Sequence, residues 1–158
     1  LWHRTASMIE KYFEGKVPQA APEVWQTKLM KDTLALWRGV TDDVLRYDPR
    51  EALAKIWSVV TEANQFVEEK KPWSLAKDPA KHGELADVLY ALAECVAHIG
   101  ILIGPFMPAT SERILSRLKV ATAGRVSDEA GFGEPMTVPG TPIEKGAPLF
   151  PRLDEKTA

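Results

Sequence analysis

The sequence predicts an all-α fold: an antiparallel bundle of about five helices with an extended C-terminal strap. Three observations predict it. Apolar residues recur at three- and four-residue spacing through most of residues 1–118, the period of helices that bury one face. Capping and breaking residues punctuate that pattern where helices should start and stop. Beyond Lys119 the period is lost, while five of the ten glycines and five of the twelve prolines gather there. Residues 1–118 therefore read as the bundle and 119–158 as an irregular strap.

The first helix covers residues 1–14, with Trp2, Ala6, Ile9 and Phe13 on one stripe and Gly15 as its stop. Periodicity is already running at Leu1, so the chain is expected to continue a longer protein. A second helix is predicted over 22–47 from Trp25, Leu29, Leu36, Val40, Val44 and Tyr47. Asp48 and Pro49 then supply a cap and a first-turn proline for a third. Its stripe runs Leu53, Ile56, Trp57, Val60, Asn64, Val67. Asn64 interrupts that stripe and must find hydrogen-bond partners, since an unpaired buried amide costs roughly 1–3 kcal/mol. It reads as a structural polar core residue bonding backbone at a neighbouring helix end.

A fourth helix is predicted over 80–103 and is apolar nearly all round, as a central bundle helix should be. Asp87, Glu94 and His98 interrupt it, and Gly104 and Pro105 end it too early for a membrane span. A short fifth helix over 108–118 follows the breaker run "GPFMP". The strap still carries Ile143, Leu149, Phe150 and Leu153, so it is expected to dock on the bundle or on a domain outside the chain.

Composition sets the outer limits. Of 158 residues, 45% are apolar and 27% charged, the mix of a globular protein. The net charge of −2 provides no global basic field, so any nucleic acid must be read locally. The single Cys95 rules out a disulfide framework and a cysteine zinc site, and it fits a reducing compartment. His3, His82 and His98 are scattered, and no phosphate-cradling glycine loop is present. No catalytic centre and no metal site are expected. "HIG" at 98–100 imitates the start of a nucleotide-binding signature, but it lies inside the apolar fourth helix. His98 is expected to be a core or helix-face histidine.

One local constellation remains in "ANQFVEEKKPWSLAK" (63–77). Pro72 ends the third helix and forces Lys71 out of the right-handed helical region, so Trp73 leaves along a stiff direction. Lys70 and Lys71 flank it. A ring held beside cations suits stacking on a single-stranded base; a ring folded back over the end of the bundle is the other reading. Arg4 sits at the edge of the first helix's apolar arc. From there its planar donor fork can reach a base edge or phosphate, or simply face solvent.

Five blocks settle the weighting: "HRTASMIEKYFEGKVP" (3–18), "ANQFVEEKKPWSLAKD" (63–78), "VLYALAE" (88–94), "PFMPATSERI" (105–114) and "KGAPLFPRLD" (145–154). Together they resemble the anticodon-binding domain of the methionyl-tRNA synthetases, class I aminoacyl-tRNA synthetases. The N-x-F-x-x-x-x-x-P-W pattern, Asn64 to Trp73, separates them from the sister enzymes for isoleucine, valine and leucine. The resemblance implies a cytoplasmic helical bundle that reads the CAU anticodon of methionine tRNAs. Trp73 would stack on an anticodon base, and Arg4 would contact the anticodon. Pro72 would aim the ring, while Lys70 and Lys71 attract phosphate. It also implies an Asn one turn before that Arg, a position that falls ahead of Leu1. ATP, and any zinc, would belong to a catalytic domain of the same enzyme, absent from this chain. The strap resembles the family segment that returns to the body of the enzyme. Two rivals stand beside this reading: a helical protein-interaction module, and the equivalent domain of a sister synthetase.

Overall fold

The computed structural model describes residues 1–120 and 129–150. Five long helices carry the fold: α1 (Trp2–Phe13), α2 (Lys28–Leu45), α3 (Pro49–Lys70), α5 (His82–Leu102) and α6 (Pro108–Arg117). Two single-turn helices, α4 (Pro72–Leu75) and α7 (Glu129–Phe132), complete it. Among the described residues there is no strand, only an isolated antiparallel bridge between Lys16 and Pro142.

Proline opens α3, α4, α6 and the 3-10 turns Pro22–Gln26 and Pro79–Lys81. Its fixed φ suits the first helical position, where its missing N–H would have no partner in any case. Asp48 caps α3 by accepting from Glu51 N at 3.0 Å. Among the described residues, Glu14, Tyr47, Lys71 and Lys119 take the left-handed region without being glycine and turn the chain at or just past helix ends.

Helix α5 is the core of the molecule and packs against α1, α2, α3, α4 and α6. It is long and apolar enough to cross a membrane by composition, yet 89% of that stretch is buried inside the bundle. Gly100 lets α6 approach closely: a Cβ there would lie 2.9 Å from Ile114 Cγ2. Cys95 is fully buried and its thiol is pushed up to about 12 by that burial. It is therefore expected to resist thiol reagents in native protein at pH 8. Labelling at the rate of an exposed thiol would contradict this packing.

Two sequence expectations need correction. The second helix does not begin at Pro22. Thr27 caps α2 by accepting from Met30 N, which confines Trp25 to the preceding 3-10 turn. Nor does its buried face reach Tyr47, which is 93% exposed, with Val44 and Leu45 also exposed. The apolar seam ends where buried Asp43 pairs with Lys55 Nζ at 2.5 Å. On α3 the buried stripe is Ala52, Ile56, Val59, Ala63 and Val67. The expected stripe followed the largest side chains, whereas close packing selects the alanines and turns Trp57 outward. Asn64 is accordingly half-buried, not in the core, and its Nδ2 donates to Val60 O of its own helix at 2.9 Å.

The strap, over its described part, lies on the bundle. Phe132 and Met136 are buried, with Phe132 edge-on to His98 at 4.7 Å and tilted by 34° against Trp37 at 5.2 Å. His98 is fully buried, and its ring spans two carbonyls, Glu94 O and Phe132 O, each at 2.8 Å. Leu149 packs against the core while Phe150 is exposed. Leu153, like everything in 121–128 and 151–158, lies outside the described residues.

Candidate nucleic-acid interface

Helix α3 ends because Pro72 has no N–H to continue its ladder. Lys71 makes the last bond, donating from its backbone to Val67 O at 3.0 Å, and takes φ 47°, ψ 60°. Lys71 thus leaves the right-handed helical region, as its place before Pro72 predicts. The chain turns at once into α4, where Ser74 N donates to Lys71 O at 2.7 Å. Pro72 and Leu75 are the buried residues of that turn, one above the other, and α4 packs on α5 through them. Trp73 points away from this pair and remains 37% exposed.

Arg4 reaches the same place from α1. Its neighbours Trp2, Thr5 and Ala6 are buried, which fixes the backbone under it. The guanidinium carbon lies 5.5 Å from the centroid of the Trp73 ring, in cation–π geometry. Nη2 also donates to Glu68 Oε1 at 2.6 Å. Both partners of this ion pair are largely exposed, so it orients the side chain more than it stabilises the fold. Residues 69 positions apart thus form one feature: a partly open indole with a planar cation against it.

A shallow depression of about 610 Å³ opens beside it, lined by Arg4, Thr61, Asn64, Gln65, Glu68 and Glu69. Asn64, half-buried, presents its amide there. Lys70 and Lys71 are exposed but do not join this lining. Lys70 Nζ lies over the Phe66 ring at 5.9 Å, on the flank of a second groove that reaches Lys28. Lys28 is held by Asp32 and Glu62, whose hydrogen bonds raise its pKa above the usual lysine range. Its charge is committed locally.

The family model for the anticodon-binding domain of tRNA ligases matches residues 26–138. The chain belongs to that family. Among similar proteins, the methionine–tRNA ligase of Caldanaerobacter subterraneus subsp. tengcongensis is 37% identical over 98% of this chain and 24% of its own length. That of Clostridium acetobutylicum is 36% identical over 96% of this chain and 23% of its own. A crystal structure of apo Mycobacterium tuberculosis methionyl-tRNA synthetase superposes with a TM-score of 0.85 at 28% identity, covering 97% of this chain and 31% of that one. The chain spans about a quarter of the length of the curated relatives it matches. Helical bundle, recognised blocks and family therefore agree.

Of the sequence candidates, Arg4, Pro72 and Trp73 come together, Asn64 stands beside them, and the two lysines sit at the margin. Glu68 is not among the sequence candidates because the Glu68–Glu69 pair reads as a solvated helix face. A signal was present nonetheless. Glu68 follows Asn64 by four residues and so shares its side of α3.

Proposed function

We propose that this chain is the anticodon-binding part of a methionine–tRNA ligase and reads the CAU anticodon of methionine tRNAs. The observation that carries this reading is the contact between Arg4 and the partly exposed ring of Trp73. A base laid on the open part of the indole gains stacking. The guanidinium beside it supplies donors in a fixed fork for a base edge or phosphate once it exchanges Glu68 for RNA. Lys70 and Lys71 add a local positive margin to a protein without a basic field. The segment supplies substrate selection. ATP-dependent loading of methionine belongs to a catalytic domain of the same enzyme, acting in the cytoplasm.

Titration with anticodon stem-loops tests this directly. CAU should bind more tightly than GAU by about fivefold to a hundredfold, since one mismatched position read by direct contact is worth roughly 1–3 kcal/mol. Equal binding, or none, would favour a helical protein-interaction module. Preference for an isoleucine, valine or leucine anticodon in the same panel would favour a sister synthetase.

A further inference from the structure

We infer that the strap is a brace of the RNA-binding site: latched onto α5 by Glu94, it holds α1 so that Arg4 stays over Trp73. This rests on the reading just given for what Arg4 and Trp73 bind, but the brace itself can be tested without RNA.

The latch is a fully buried carboxylate. Glu94 Oε2 accepts from Met136 N at 3.0 Å, and Oε1 accepts from Thr137 N at 2.7 Å and from Thr137 Oγ1 at 2.5 Å. Burial, and then the charge of Glu94, push the nearby Tyr90 phenol above its usual range, so the ring stays neutral. A buried carboxylate persists only when its lone pairs are satisfied, and here two backbone amides and one hydroxyl of the strap bond to it. Within α5 the same carboxylate also faces His98, whose Nδ1 lies 3.7 Å from Oε2, and the Tyr90 hydroxyl, but the strap supplies both of the backbone donors.

Three residues beyond the latch the strap reaches the far end of α1. Gly140 N donates to Val17 O at 2.8 Å, Val17 N to Thr141 O at 3.0 Å, and Ile143 N to Gly15 O at 2.8 Å. The strap then follows α1 back to its start, where Trp2 Nε1 donates to Lys145 O at 3.2 Å. Lys145 Nζ also lies 3.6 Å from Glu10. The first turn of α1 has no side-chain cap, because Leu1 cannot provide one. The bond from Trp2 therefore ties down the turn that carries Arg4. α1 lies between α5 and a peptide that is itself fastened to α5, and Glu94 is a positioning residue for Arg4. Pre-arranging a contact group in this way raises affinity by removing the cost of ordering it.

The test is Glu94→Gln in the full chain, whose amide cannot accept from three donors as the carboxylate does. Two readouts are taken: the ring-current shift of the Arg4 side-chain protons in arginine-labelled protein, and affinity for the CAU stem-loop. The brace predicts that the upfield shift is largely lost and that affinity falls about fivefold in the wild-type background but less than about twofold in an Arg4→Ala background, as coupled sites do. An unchanged Arg4 shift overturns it, as does an equal loss in both backgrounds, which indicates general destabilisation. If E94Q fails to fold, Trp2→Phe carries the same two readouts, since it keeps an apolar ring in the core and deletes the bond to Lys145. If wild-type protein shows no CAU preference, the functional reading fails, and the Arg4 shift alone still decides the brace.

Discussion

Trp73→Ala is expected to weaken binding of a CAU stem-loop by about tenfold to a hundredfold, because a stacked base contributes roughly 1–3 kcal/mol by alanine substitution. The ring lies 5.5 Å from the Arg4 guanidinium carbon, so its removal also unseats the guanidinium. Trp73→Ala and Arg4→Ala should therefore combine to less than the sum of their separate effects. Salt dependence tells stacking apart from charge. Trp73→Ala should leave the slope of affinity against salt unchanged. Lys70→Ala or Lys71→Ala should each reduce it by up to about 0.7, if the lysine contacts phosphate of a single strand. The rival view of Trp73, as a cover for the end of the bundle, predicts another pattern: lower stability with affinity unchanged. Pro72 and Leu75 are the buried residues of α4, so a modest change in unfolding midpoint with a large change in affinity is the expected result.

How far the sequence could be read depended on whether a feature was local. Helix existence was legible because caps and breakers act within a few residues: Asp48 with Pro49 starts α3, and Pro72 ends it. Which face of α3 is buried was less so, since close approach to α2 and α5 selects Ala52 and Ala63 over Trp57. That choice belongs to the pair of helices and not to either sequence. The site shows the same division. Trp73 stood out through its own neighbours, and Arg4 through its edge position and the family blocks. Glu68 gains meaning only through the reach of Arg4 from α1. Glu94 read as an awkward charge in an apolar helix, and its three donors come from residues 42 and 43 positions away. Phe132 drew no attention among the glycines and prolines of the strap, where no period exists to point inward.

Phe132→Ala is the sharper test of that last point and should cost about 3–5 kcal/mol, the range for removing a large buried aromatic. The ring is 1% exposed and touches both Trp37 of α2 and His98 of α5, so the void would open between two helices of the bundle. Its carbonyl is also the acceptor 2.8 Å from His98 Nε2. A backbone that relaxes into the void would disturb that bond, leaving a buried imidazole nitrogen unpaired and adding to the loss. Urea unfolding measures the total, and hydrogen exchange at Met136 and Thr137 shows where the loss falls. If the strap is an integral wall of the core, the unfolding midpoint drops by the full amount and amides of α5 exchange faster together with those of the strap. If it is a separable flap, strap amides lose protection while the midpoint moves by less than about 1 kcal/mol, as for a unit that opens locally. The contacts to both α2 and α5 favour the first outcome, and a local opening would show that the bundle closes its core without Phe132.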